Sequence, residues 1–498
     1  MDKRIRRLGV VMVLCFIALF IQLNYVQVLK ANSLANSPDN PRVLAIARSQ
    51  SRGSILSSEG VTLASSVLAP AGSVYKYRRI YNKSTATLFA QIVGFDSSKY
   101  GNYRGVEAEY NDFLTPHTKP ATSLRDLLTN RTDVDNVTLT INAKLQEQVA
   151  TAIDDGAPGV KGVAAVVEYP TTGAIGAMYS NPSFDPNPLV SLNLKTQTAA
   201  WTADLAQPGN PLVAGTYDAI NPPGSSFKVV TTSAVLENRP DLVAKTYPVV
   251  ENITLPHTGN PPQVLHNYDS TPCGGTLEEL LIQSCDADFA SIGQQLGAPA
   301  LVSQAESYGF NKKIPLDVPS DTVAASQIGT VSQFQTDVPG LMKSAIGQET
   351  VYASALQMAM VAGTVADGGT EMTPHVMEQI RGSQGNLVES YQPKVWSHPI
   401  SAQTAATLTT FMQGVAKSGT ATGLFPATWD VAAKTGTAEV GVNLQQTTDW
   451  LIAFAPVGTT KVAIAVVVPN QAAKQTGAGI AGPIVEQILG DVRADQGS

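Results

Sequence analysis

The stretch "NPPGSSFKVV", Asn221 to Val230, sets two serines after a Pro-Pro-Gly turn, with a lysine close behind. An active serine needs a base within hydrogen-bond reach. On a helix, residues three apart share a face, so Ser-x-x-Lys delivers an amine to a hydroxyl within one turn. Ser225 and Lys228 have that spacing, whereas Ser226 stands two before Lys228 and points elsewhere. The Pro222-Pro223-Gly224 turn should end extended structure and start a helix near Ser225. There the positive end of the helix dipole favours a developing oxyanion. Ser225 is the candidate nucleophile. Spacing alone is weak evidence, because "SVYK", Ser73 to Lys76, shows it too. That copy falls in "GSVYKYRRIYN", whose alternation predicts a strand, and there residues three apart face opposite sides.

Further elements strengthen the Ser225 copy. A known serine acyl-transfer set pairs Ser-x-x-Lys with a Ser-Asp-Asn-type element and with Lys-Thr-Gly. "KTG" occurs at Lys434, Thr435 and Gly436, followed by Thr437, inside the strand-like "AAKTGTAE". "SCD", Ser284 to Asp286, lies between the two motifs as the middle element should. "SLN" at Ser191 to Asn193 fits the formal pattern better but precedes the nucleophile, so Ser284 is preferred.

The rest of the chain bounds the answer. Its 498 residues allow two or three domains, and 43% hydrophobic against 15% charged residues exclude a disordered tail. A net charge of −7 argues against a nucleic-acid partner. The five histidines lack metal-ligand spacing, so no zinc site is expected. Basic "MDKRIRR" precedes an apolar run from Leu8 to Leu23 that fades by Leu29, about the length of a bilayer crossing. The positive-inside rule puts residues 1–7 in the cytoplasm, makes 8–29 an uncleaved anchor and leaves the remainder outside. A cleaved signal peptide is the rival, but the run lacks a convincing cleavage site. Cys15 lies in the span; Cys273 and Cys285 could close a short loop or stay as two thiols.

Residues 32–41 read as a linker. From 30 to 136 the chain reads as a small α/β block with no catalytic constellation. From 137 to 498, strand signals stand at both ends ("VTLT", "GVAAVVEY", "AIGAMYS"; then "DVAAKTGTAEV", "WLIAFAP", "KVAIAVVVP"), with helical runs between and after them. Asn142 is a candidate helix cap. The pattern predicts an α+β domain, an antiparallel sheet packed with helices.

At these residues the chain resembles the class B penicillin-binding proteins, monofunctional D,D-transpeptidases that cross-link bacterial peptidoglycan. The resemblance extends over "RGSILSSEGVTLA", like the opening of the family's pedestal domain, and over "VTLTINAKLQ", "VVEYPTTGAIGAMYSNPSFDPN", "AIGQETVYASALQMAMVAGTVADGG" and "KTGTAE". The short pedestal, "YGNYRGVEAEYNDFL" and the serine–cysteine middle motif look most like the actinobacterial penicillin-binding protein A branch. The resemblance implies a penicillin-binding transpeptidase fold with an all-helical subdomain, behind a single transmembrane helix and a pedestal or dimerisation-type domain.

It also implies roles. Ser225 would attack the penultimate D-Ala carbonyl of a stem peptide, and Lys228 would take its proton. Ser284 would relay a proton to the leaving amine. Lys434, a catalytic residue, would add a positive charge, and Thr435 and Thr437, with Gly436, would hold the terminal carboxylate, with the Ser225 and Thr437 N–H groups as oxyanion hole. β-Lactams would inhibit, and no metal or organic cofactor is implied. A membrane glycosyltransferase of the shape, elongation, division and sporulation family, with division or elongation proteins, would be the partners. Two departures stand out: Asp286 where the family usually has Asn, and Asp449 where it often has His-Ala before the Trp. An ionised Asp cannot donate to a substrate amide, and it favours the charged form of Lys228. A serine β-lactamase is the rival enzyme, but no Glu-x-x-x-Asn follows the middle motif. A β-lactam sensor or a non-catalytic divisome scaffold is the rival outside enzymes.

Overall fold

The computed structural model describes residues 3–26, 30, 48–118, 132–440, 445–457, 460–472 and 475–496. The linker at 32–41 and the end of the expected span, 27–29, lie outside the described residues. The first helix is Lys3–Asn24, so it begins inside the basic tail rather than at residue 8. Its segment Ile5–Asn24 has a mean hydropathy of 2.0 and none of its residues is buried by protein. Twenty residues at 1.5 Å each span about 30 Å, the thickness of a hydrocarbon core. Among the described residues it is the one helix long and apolar enough to cross a membrane.

The N-terminal block is built on a six-stranded mixed sheet that runs across the expected 136/137 boundary. Asp135–Leu139 pairs in parallel with Ile55–Leu56 and antiparallel with Met377–Gly382. Leu387–Ser390 and the strands Thr62–Leu68 and Tyr77–Tyr81 complete the sheet at its two sides. Residues from deep within the catalytic segment therefore finish the pedestal sheet, and the two blocks are joined by backbone hydrogen bonds. Glu107, fully buried, is held by Arg52 at 2.7 Å, Arg79 at 2.6 Å and the Tyr81 hydroxyl at 2.9 Å. The "SVYK" copy precedes the strand, which starts at Tyr77. Ser73 is tied up by the Tyr75 N–H, and Lys76 lies over the Tyr77 ring.

The catalytic block carries a five-stranded antiparallel sheet in the order 174–180, 164–169, 460–472, 446–457, 432–440. Strands from the two ends of the block meet at Ala164–Tyr169 and Thr460–Ala472. The run "VAIAVVV" is apolar without alternation because helices cover both faces. Ala143–Gly156 and Gly477–Gln496 lie on one side, and Ala355–Ala366, every residue of it buried, lies on the other. Asn142 caps the first of these helices by accepting from Leu145 N. The helical subdomain, including Lys228–Asn238, Leu277–Gln283, Asp286–Leu296 and Ala298–Ser307, stands beside the free edge strand Ala432–Val440. Two short ribbons are appended to it, Tyr247–Val250 with Cys273–Gly275 and Asn252–Thr254 with Val264–His266.

Candidate active site

The turn before Ser225 packs directly on the edge strand. Gly224 has φ +52, and a Cβ there would lie 2.6 Å from Thr437 O; a Cβ on Gly436 would lie 2.5 Å from Pro223 O. Only two glycines let these backbones approach so closely. The Trp450 indole N–H adds a clamp, donating to Pro222 O at 2.8 Å. The helix does not begin as α at Ser225: Gly224–Phe227 is a 3₁₀ turn and the α-helix starts at Lys228. In a 3₁₀ turn residues three apart eclipse, so Ser225 and Lys228 still share a face. Ser226 is fully buried and donates to Pro223 O at 2.7 Å, which makes it a strut of the turn. Ser225 is partly exposed.

The middle motif comes to the same place. Thr276 and Glu279 form a capping box that starts Leu277–Gln283, and the helix ends at Ser284 in the left-handed region, φ 63. That conformation, costly for a non-glycine residue, turns the hydroxyl toward both lysines. Lys228 Nζ donates to Ser284 O at 2.8 Å, to Asp286 Oδ1 at 2.7 Å and, more weakly, to Ser284 Oγ at 3.4 Å. Lys434 Nζ donates to Ser284 Oγ at 2.8 Å and to Thr435 O at 2.9 Å. The Ser225 hydroxyl donates to Asp286 Oδ1 at 3.3 Å, not to Lys228, so Asp286 stands between nucleophile and amine. Ser225, Asp286, Lys228, Ser284 and Lys434 thus form one continuous network. Ser191, the rival middle element, instead accepts from Asn193 N, and Asn193 caps Leu194–Ala206.

Both lysines are fully buried. Burial holds Lys228 below the ordinary lysine range, opposed by the Asp286 carboxylate. Burial pushes Lys434 much further down, helped by the Lys228 charge and opposed by Asp286. Three hydrogen bonds leave Lys228 as the ammonium partner of Asp286, with its ammonium 5.2 Å from the Phe289 ring centre. Two buried amines with one carboxylate between them favour a single shared positive charge.

Cys273 and Cys285 are joined, with their Cα atoms 5.9 Å apart. Cys285 is the central residue of "SCD", so the bridge ties the middle motif to the ribbon below it. Asp288 is the remaining member of the one cluster of potential metal ligands among the described residues, and both its sulfur partners are bonded to each other. Two groups, Thr420 and Gly477, and the place of Asp449 escaped sequence reasoning. Thr420 bonds the Thr435 hydroxyl at 2.6 Å from a loop with no motif of its own. Gly477 N donates to the Thr437 hydroxyl at 3.1 Å. Asp449, fully buried, pairs directly with Thr437 across the strands.

Comparison with known proteins agrees with this geometry. The family model described as the penicillin binding protein transpeptidase domain matches residues 163–490, and that of the penicillin binding protein A dimerisation domain matches 52–137. The chain is 33% identical over 500 residues to the peptidoglycan D,D-transpeptidase PbpA of Mycobacterium tuberculosis, covering 98% of each chain. It is 32% identical over 501 residues to PbpA of Mycolicibacterium smegmatis, covering 97% of each. The ceftriaxone acyl-enzyme complex of M. tuberculosis penicillin-binding protein A superposes with a TM-score of 0.79 at 30% identity, over 90% of this chain and 99% of that one. With its Ser225 network set against an edge strand and with these relatives along nearly its whole length, the chain belongs to the penicillin-binding protein transpeptidase family.

Proposed function

We propose that the chain is a membrane-anchored peptidoglycan D,D-transpeptidase, open to β-lactams, in which Ser225 is the nucleophile. The observation that carries the reading is the unbroken set of contacts from Ser225 through Asp286, Lys228 and Ser284 to Lys434. Lys228 is the general base. Its amine becomes available when the ammonium sheds a proton, a step that burial favours and Asp286 opposes. Ser225 Oγ then attacks the penultimate D-Ala carbonyl and gives its proton to Lys228. The Ser225 and Thr437 N–H groups receive the oxyanion, an interaction worth about 3 kcal/mol per donor in serine proteases. The amide C–N bond breaks, Ser284 passes a proton to the leaving amine, and D-Ala departs. The amine of a second stem peptide attacks the ester, forms the cross-link and returns the proton to Ser225.

Lys434, Thr435 and Thr437 hold the terminal carboxylate of the donor, with Gly436 giving the close approach. Asp286 touches both Ser225 and Lys228 and restrains acylation. Residues 1–7 are the cytoplasmic tail, 8–29 the anchor, 30–136 the pedestal and 137–498 the catalytic domain on the outer side of the membrane. The basic tail before the apolar helix supports that orientation. Strand polymerisation comes from a partner glycosyltransferase of the shape, elongation, division and sporulation family, met through anchor and pedestal alongside division or elongation proteins.

Labelling of wild type and Ser225→Ala with a fluorescent penicillin tests the reading. Stable labelling that the variant loses supports it. Rapid turnover of the label points to a β-lactamase, and a wild type that takes no label points to a scaffold.

A further inference from the structure

We propose that Asp449 is a positioning residue that decides whether the Thr437 hydroxyl is free to donate to the carboxylate of an acyl donor or β-lactam. The proposal rests on the carboxylate-binding role given to Thr437 above.

Thr437 and Asp449 are directly opposed on antiparallel strands, so their side chains share a face. Thr437 is partly exposed and Asp449 fully buried. Asp449 Oδ2 accepts from the Thr447 hydroxyl at 3.1 Å, while Oδ1 is buried without a partner among the described residues. The Thr437 oxygen already accepts from Gly477 N at 3.1 Å. A hydroxyl has one hydrogen and two acceptor sites. With Gly477 on one acceptor site, the single hydrogen has two claimants, Asp449 and the ligand.

The outcome depends on the Asp449 proton. An ionised Asp449 can only accept, so it draws the hydrogen inward and turns a lone pair toward the incoming carboxylate. A protonated Asp449 donates to the second acceptor site of Thr437, and the hydroxyl hydrogen is released to the ligand. Burial pushes Asp449 up to about 6, with the neighbouring Thr447 and Thr437 hydroxyls holding it from rising further. No charged side chain contributes. Thr447 bonds it from its own strand, and Thr437 on the edge strand and Val468 on the inner strand stand opposite it in register; Glu439, opposite Thr447 on the same face of the edge strand, is the carboxyl diagonal to it. Gly477 covers the strand pair from the C-terminal helix, and Tyr268 is the titratable group that feels the Asp449 charge. Affinity for a carboxylate-bearing donor therefore falls as pH rises through this titration.

The test measures the dissociation constant that precedes acylation of the full chain, by stopped-flow competition against a fluorescent penicillin from about pH 5 to pH 8. Penicillin G is compared with its methyl ester, on wild type and Asp449→Asn. Wild type should bind penicillin G about tenfold more weakly above the titration than below it, one hydrogen bond's worth. The ester should show no such step. Asparagine donates to Thr437 at any pH, so the variant should keep the tight, low-pH value throughout. A step of equal size for the ester, or one that survives in Asp449→Asn, overturns the proposal. A wild type that shows no step for penicillin G overturns the proposal even where the variant folds poorly. Labelling that persists in Ser225→Ala would instead sink the underlying assignment of the site, so the two failures are told apart.

Discussion

Asp286 Oδ1 lies 2.7 Å from Lys228 Nζ, and the same oxygen receives the Ser225 hydroxyl at 3.3 Å. The carboxylate keeps the proton on the amine that must lose it. Asp286→Asn removes the charge that opposes burial, so the Lys228 pKa falls and more free amine is present at neutral pH. The acid limb of the acylation profile should move to lower pH and the neutral-pH rate should rise several-fold. Stopped-flow acylation by penicillin across pH measures both. An unchanged acid limb would show that Asp286 does not set the Lys228 charge.

Gly436→Ala should abolish labelling by fluorescent penicillin. The added Cβ would sit 2.5 Å from Pro223 O and 3.0 Å from Ser226 N, both of them backbone atoms. The nucleophile turn must move off the edge strand, and a shift of about 1 Å at a reacting group costs about a hundredfold in rate. A labelling rate within a few-fold of wild type would contradict this.

Cys273→Ser should lower both stability and acylation. The bridge closes a loop over a sequence separation of 12, which on chain-entropy grounds contributes about 3 kcal/mol. Because Cys285 separates Ser284 from Asp286, its release also loosens two members of the network. Denaturant melts and labelling kinetics, each with and without reductant, check the two effects. The reduced wild type should match the variant in both.

The contribution of Glu168 to stability should be greater near pH 5 than near pH 8. Glu168, buried beneath the helix Ala355–Ala366 with Oε2 unpartnered, is raised from 4.5 to about 8 by burial and by the Asp367 charge. A carboxyl whose folded pKa lies above its unfolded value binds more protons in the folded state between the two. Its stabilisation is therefore complete below about pH 4.5 and fades as pH rises through about 8, by an amount on the order of 5 kcal/mol. Glu168→Gln should leave the melting temperature at pH 5 close to wild type and raise it at pH 8. Equal pH slopes for the two proteins would refute the assignment.

The elements legible from sequence are those coded by local pattern. The hairpins 164–180 and 446–472 follow from apolar runs broken by turn residues, and Ser225 was separated from Ser226 by spacing alone. What escaped depends on segments that meet only in three dimensions. The bond from Ser225 to Asp286 joins residues 61 apart, and nothing near either one announces it. The pairing of Asp135–Leu139 with Met377–Gly382 bridges still more of the chain, so local strand signals near Val137 do not reveal that the sheet runs across that point. In the sequence Asp449 is an isolated departure; its strand register sets it opposite Thr437.

The strand order of the catalytic sheet has a consequence for how the protein is made. Ala164–Tyr169 finds its inner neighbour in Thr460–Ala472, and Lys434 reaches Ser284 from a strand that itself pairs with Gln446–Val457. A nascent chain that has emerged only as far as the nucleophile helix has neither a closed sheet nor a second lysine. Folding of this block waits on contacts of long sequence separation, which are slow to form. A ribosome stalled before the last strands leaves an inert product, so activity appears only once nearly the whole polypeptide has been synthesised.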